Sequence, residues 1–183
     1  MKPETLTEME RLQLANQYAM LEKLDAENAE HWAECKEILQ KGYSLSYNKI
    51  FDPIWEELSG DDCRYVFDVL AMYDALQRSF ERLKDTDDIS ENAVTFPGFG
   101  GNDETHFLVF ARYIRDSGQW DWMLKGKDLD CHFPTTWRYK PMLEKWKPIE
   151  PIERKAARLS KDDIKEILDA PGKQVREQRA AGD

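Results

Sequence analysis

Apolar residues recur three and four positions apart over most of the chain, the spacing that gathers them on one face of an α-helix. Thr7 followed by Glu10 has the form of a capping box, and the helix it opens runs to about Leu24, with Leu12, Ala15, Ala19 and Met20 tending to one side. Asn28 is placed to cap a second helix carrying Trp32, Cys35, Ile38 and Leu39, which Gly42 ends. The short connection favours a helical hairpin. From Ser44 to Leu58, Pro53 breaks any continuous helix and leaves two short pieces, the second with Ile54, Trp55 and Leu58. Ser59 and Asp62 then start the strongest helix, in which Val66, Phe67, Leu70, Tyr73, Leu76 and Phe80 trace a broad apolar stripe interrupted only by Asp74.

The periodicity stops at Thr95-Phe96-Pro97-Gly98-Phe99-Gly100-Gly101-Asn102-Asp103-Glu104, a rigid, aromatic, glycine-rich turn. Asn102 or Asp103 is placed to cap the next helix, which bears Phe107, Leu108, Phe110 and Ile114 and stops near Ser117-Gly118. Between Gln119 and Thr135 no period is readable, although Trp120, Trp122, Met123, Leu129 and Phe133 lie there, so a long irregular loop is expected. Thr135 or Thr136 starts a helix through Tyr139, Met142, Leu143 and Trp146, kinked or restarted at Pro141, with Pro148 and Pro151 forming a stiff connection after it. Ser160 with Asp163 caps a last helix, with Leu159 and Ile164 at staple spacing. The tail after Pro171 is expected to be disordered. No strand pattern or internal repeat is visible.

Composition adds limits rather than a function. A chain of 183 residues, 41% of them hydrophobic, can bury its own core without metal or disulfide. Cys35, Cys63 and Cys131 are odd in number and widely spaced, which reads as reduced thiols. No apolar run reaches membrane-spanning length, and the opening residues lack a signal peptide's basic start and apolar block, so the expected location is cytoplasmic and no membrane contact is expected. The formal net charge of −10 opposes nucleic-acid binding, yet it is unevenly placed. Residues 1–62 hold six Lys and Arg against fourteen acids, whereas residues 138–161 hold eight against three. Such a split suits a solvated basic face first, and otherwise self-association or an acidic partner.

The segment Asn16-Gln17-Tyr18, the pair Leu24-Asp25, the Gly42-Tyr43 stop, Met72-Tyr73-Asp74-Ala75-Leu76, and Thr95-Phe96-Pro97-Gly98-Phe99 with Asn102-Asp103-Glu104 resemble, in order and spacing, the bacterial YfbU family. The likeness continues into Pro134, Tyr139, Met142, Leu143 and Trp146 and covers about Leu6 to Ala170; Pro141 is a local departure. It implies an all-α protein, a multihelical array with an N-terminal helical hairpin and a larger orthogonal helical unit, without an assigned activity or catalytic residues. The expected divisions are 1–58 for the hairpin and connector, 59–170 for the multihelical unit, and 171–183 for the tail.

Candidate chemistry is sparse. Asp128-Leu129-Asp130-Cys131-His132 contains carboxylate, thiolate and imidazole, but no His-Glu-x-x-His or paired Cys-x-x-Cys accompanies it, so it reads as a polar loop and no metal or cofactor is expected. The Gly98 turn precedes a helix start but lacks the Lys-Ser/Thr of a phosphate-binding loop, and it reads as a tight turn that packs Phe96 and Phe99 into the core. The leading expectation is a non-enzymatic interaction or regulatory module that self-associates, most simply as a homodimer, with room for another protein partner. Phe96, Gly98, Phe99, His106, Trp120, Trp122 and His132 are the candidate partner- or ligand-binding residues. Two alternatives are an enzyme of unassigned class between the Gly98 turn and the 119–135 loop, and a nucleic-acid-associated regulator using the basic stretch with Arg154, Lys155 and Arg158.

Overall fold

The computed structural model describes residues 4–149 and 159–180, with residues 174–180 described by their backbone alone. Its helices are α1 (Glu8–Leu24), α2 (Ala29–Lys41), α3 (Asn48–Phe51), α4 (Gly60–Phe80), α5 (Glu91–Val94), α6 (Thr105–Asp116), α7 (Asp121–Leu124), α8 (Thr136–Trp146) and α9 (Lys161–Ala180). Among the described residues there is no strand, only an isolated parallel bridge between Phe99 and Asp130. The fold is all-α, as the periodicity predicts. The chain forms two compact units, Met1–Glu57 and Leu58–Asp183.

In the first unit α1 lies against α2 as a hairpin. Thr7 and Glu10 form the expected capping box, Thr7 Oγ1 accepting from the Glu10 amide while the Glu10 carboxylate accepts from the Thr7 amide. Gly42 ends α2 at φ 70°, and the Tyr43 amide turns back to the Ile38 carbonyl at 3.0 Å. Asn28 does not cap α2. Asp25 accepts from the Asn28 amide and side chain and from Trp32 Nε1 at 3.0 Å, so the carboxylate serves the turn and the Asn28 amide group is spent as a donor. Beyond Pro53 the expected second helical piece is missing, and Ile54 and Trp55 are exposed.

The unit's core consists of Ala15, Cys35, Ile38, Leu39, Tyr47 and Ile50, with Leu14 and Tyr18 packed against it. This corrects the sequence reading of α1. Ala15 faces α2, but Leu12 and Met20 are exposed. The helix carries apolar residues on two faces, and only one meets α2.

In the second unit α5, α6 and α8 pack on α4, and α9 packs on α8 and α4. Ser59 caps α4 by accepting from the Asp62 amide at 3.0 Å. Val66, Val69, Leu70, Met72, Tyr73 and Leu76 bury its apolar face. Asp74, the acid in that stripe, sits at the margin, accepting from Arg78 at 3.0 Å and from Trp122 Nε1 at 2.7 Å. α8 runs through Pro141 as one element and does not restart there. Pro171 likewise lies inside α9, whose backbone runs on to Ala180 past the point where the sequence reading ends it. A proline inside a helix removes one amide from the ladder and its ring crowds the carbonyl four residues back, a cost that the burial of Pro141 and Pro171 helps to offset. Ser160 and Asp163 cap α9 reciprocally, with Leu159 and Ile164 both buried.

Candidate functional site

The glycine-rich turn is built against the stretch that leads into α8. The Phe99 amide donates to the Leu129 carbonyl at 2.9 Å and the Cys131 amide donates to the Phe99 carbonyl at 3.1 Å, which makes the parallel bridge. Gly98 has φ 111°, and a Cβ there would lie 1.9 Å from the Leu129 carbonyl oxygen. A Cβ on Gly100 would lie 2.6 Å from the Phe133 carbonyl oxygen. The glycines therefore allow two backbones to touch, a packing role that the turn's composition hinted at. Phe96 and Phe99 point inward and are buried, their ring centroids 5.4 Å from Tyr73 and 5.6 Å from Tyr139 respectively. Tyr139 adds a hydrogen bond, its hydroxyl donating to the Gly98 carbonyl at 2.5 Å. Burial pushes the Tyr73 hydroxyl up to about 12 and that of Tyr139 well above its ordinary value.

Glu104 is the centre of the polar part, and sequence reasoning missed its role. It is buried at 7% exposure. Its carboxylate accepts from the Gly100 amide at 3.0 Å, from the Thr135 amide and hydroxyl at 2.8 and 2.7 Å, and from the Thr136 amide and hydroxyl, both at 2.6 Å. Burial pushes this carboxyl up, but the bonds from Thr136, Gly100 and Thr135 outweigh it and hold the group below its ordinary value. Glu104 immediately precedes α6, yet its side chain caps α8, where the unpaired amides of a helix start and the positive end of its dipole favour an anion. The only sequence signal was an acid in the turn and a Thr-Thr pair at the later helix start, 31 residues apart.

Asp130 plays a similar part, accepting from the Gly101 amide at 3.0 Å and the His132 amide at 2.8 Å. The bond from His132, then that from Gly101 against the cost of burial, lowers its carboxyl below the ordinary value. His132 stands in the left-handed region at φ 63° with Nδ1 3.4 Å from Asp130, and its side chain is exposed. His106, in the first turn of α6, instead lines an open depression of about 330 Å³ with Leu58, Asp62, Asp103, Glu104, Thr105 and Phe107. Thus Asp130 and His132 come together while His106 belongs to a different wall.

The 119–135 stretch contains α7 and turns Met123, Leu124 and Leu129 into the core. Trp120 adopts the left-handed φ of 49°, and its carbonyl accepts from the Met123 and Leu124 amides. Its ring lies 6.1 Å from Phe67. Trp122 is 41% exposed, donates to Asp74, and carries the Arg78 guanidinium 4.4 Å above its ring. Among the described residues no group of His, Cys, Asp and Glu is gathered as a metal site.

Of the basic stretch, Arg154, Lys155 and Arg158 lie outside the described residues, as does Pro151. Within the described part Lys145 pairs with Glu166, Lys147 with Asp68, and Lys161 with Asp85 and Asp88. Among the described residues no helix is long and apolar enough to cross a membrane.

What the arrangement does chemically is to staple a turn to a loop, with its carboxylates committed as acceptors of backbone and threonine donors. A family profile described as the YfbU domain matches residues 4–170. A relative named UPF0304 protein MJECS11, from Methanocaldococcus jannaschii, is 33% identical over 172 residues, which cover 90% of this chain and 99% of the relative. That organism is an archaeon, so the expectation of a purely bacterial distribution does not extend to this relative. The aromatic Gly98 turn, the hairpin stop at Gly42 and the match over nearly the whole folded chain converge: this chain belongs to the YfbU family.

Proposed function

We propose that the protein is a non-catalytic helical interaction module, cytoplasmic, that associates with itself and offers apolar surface to protein partners. One observation carries the reading. Among the described residues of the first unit nine large apolar ones are exposed, among them Leu24 at 82% and Leu45 at 98%, against a core of six buried ones. A unit this small buries little apolar surface by itself, and a surplus of exposed apolar groups is the mark of a surface made to be covered. The commitment of Glu104 to five structural hydrogen bonds supports the same reading, because a carboxylate whose two oxygens both serve backbone and threonine donors has little left to offer a substrate. Light scattering on the full chain over a concentration series tests it: a mass that rises toward that of a dimer is expected, and a constant monomer mass would defeat self-association.

The enzyme reading is favoured by one feature, the depression beside His106, where an imidazole and the carboxylates of Asp62 and Asp103 border the same open space. A small molecule whose binding raises the melting temperature of the wild type and not of His106→Ala would support it.

A further inference from the structure

The outer face of α1 holds Met9, Leu12, Asn16, Met20 and Leu24, all exposed. At 3.6 residues per turn these five fall within about one third of the helix circumference. The opposite face, with Ala15, Leu14 and Tyr18, is the one that meets α2. A helix about 25 Å long thus presents a second apolar stripe with one amide at its middle.

From the placement of its charges, we infer that this stripe binds the same stripe of a second copy, antiparallel, across a two-fold axis at Asn16. The inference rests on the self-association reading and names its surface. Three of the helix's charges are already engaged: Glu10 in the capping box, Glu22 with Lys36, and Arg11 on the Leu39 carbonyl at 3.2 Å. Glu8 and Lys23 remain, and both lie toward the same side of the stripe. Glu8 is eight residues before Asn16 and Lys23 seven after it. Along the axis these are about 12 Å and about 10.5 Å from the centre in opposite directions. Antiparallel pairing therefore sets Glu8 of each copy beside Lys23 of the other, twice. Parallel pairing would put the two Glu8 side chains at one level but on opposite edges of the seam, and likewise the two Lys23, so that neither charge would meet an opposite one.

The same register places Leu12 against Met20 of the second copy, and Asn16 against Asn16, where each amide can donate to and accept from its mate. A single polar residue in an apolar helix seam is a known means of fixing register. A depression of about 290 Å³ lined by Leu12, Ala15, Asn16 and Leu39, together with the polar Glu8, Arg11 and Gln40, adjoins the stripe and gives the facing Met20 a place to enter. Five side chains per copy make a small interface, so the dimer dissociates reversibly on dilution.

The test uses light scattering on the full chain. Wild type is expected to dimerise, and Leu12→Glu with Met20→Glu to weaken the dimer at least about 100-fold, since a charge at the centre of a small apolar interface removes most of its binding. Asn16→Cys, in a background with Cys63→Ser and Cys131→Ser, is expected to give a covalent dimer on mild oxidation, and Glu10→Cys on the far side is not. Glu8→Lys should weaken the dimer and the added Lys23→Glu restore it. A dimer indifferent to the double variant, with Asn16→Cys left unlinked, overturns this surface but not self-association. Loss of the dimer without rescue by the charge swap overturns the antiparallel alignment. A wild type that stays monomeric overturns both readings. Should the double variant lose its helical circular dichroism, the cysteine and charge-swap arms decide alone.

Discussion

The hydroxyl of Tyr139 donates to the carbonyl of Gly98 at 2.5 Å, joining the middle of α8 to a turn 41 residues earlier. The bond is buried, so Tyr139→Phe leaves the Gly98 carbonyl without this donor while keeping the ring that packs on Phe99. The expected loss is about 1 to 2 kcal/mol of unfolding free energy, read as a lower urea midpoint at unchanged slope. Gly98→Ala should do much more damage, because its Cβ would overlap the Leu129 carbonyl at a φ that alanine resists. A Gly98→Ala protein as stable as wild type would show that the turn does not hold this conformation in solution.

Glu104 links the same turn to the start of α8, and its effect can be separated by pH. Its folded carboxyl lies below the ordinary value of 4.5, so the stability it contributes is fully present above that value and is lost as pH falls through the folded value. Glu104→Gln keeps the shape but offers one acceptor oxygen to the threonine donors in place of two. Urea midpoints measured from pH 7 down to pH 3 should be lower for Glu104→Gln at neutral pH, by about 2 to 3 kcal/mol, and should converge with wild type toward the acid end. Parallel curves across the range would count against the carboxylate as the source.

Local chemistry is legible in the sequence and distant pairing is not. Thr7 with Glu10, the stop at Gly42, and Ser160 with Asp163 form as predicted, because each motif is complete within a few residues. The aromatic Gly98 turn reads as packing for Phe96 and Phe99, but nothing local says that Glu104 reaches Thr135 and Thr136 rather than capping its own helix. The acid inside the α4 stripe has a local partner in Arg78, but its second donor, Trp122, lies 48 residues later and could not be read from the stripe. The apolar face of α1 is misassigned from sequence for a related reason. Periodicity finds a stripe, and α1 has two; only the tertiary contact with α2 selects the inner one.

The Asp74, Arg78 and Trp122 cluster is half-exposed, and its energetics should be modest. Arg78 is held by the carboxylate of Asp74 and by the Trp122 ring, and the same Asp74 oxygen accepts from both neighbours. Asp74→Asn should cost about 1 kcal/mol or less, and a double-mutant cycle between Asp74→Asn and Trp122→Phe should return a coupling of about 0.5 to 1 kcal/mol. Additive losses would show that the indole bond contributes nothing in water.

The two units have separate cores, which gives truncations in them different signatures. Leu39 is fully buried among Ala15, Cys35, Ile38 and Tyr47, and Leu76 is fully buried in the cluster around Tyr73 and Tyr139. Each Leu→Ala change removes about 2 to 5 kcal/mol by lost transfer energy and the cavity left behind. A core of six buried residues has little stability to lose, so Leu39→Ala is expected to melt the first unit ahead of the second and split the thermal transition in two. Leu76→Ala draws on the larger core and should lower the melting temperature of the second unit while the first unit's transition stays where it was. Calorimetry of the full chain separates these cases. A single transition that Leu39→Ala and Leu76→Ala lower equally would mean that the two units unfold as one.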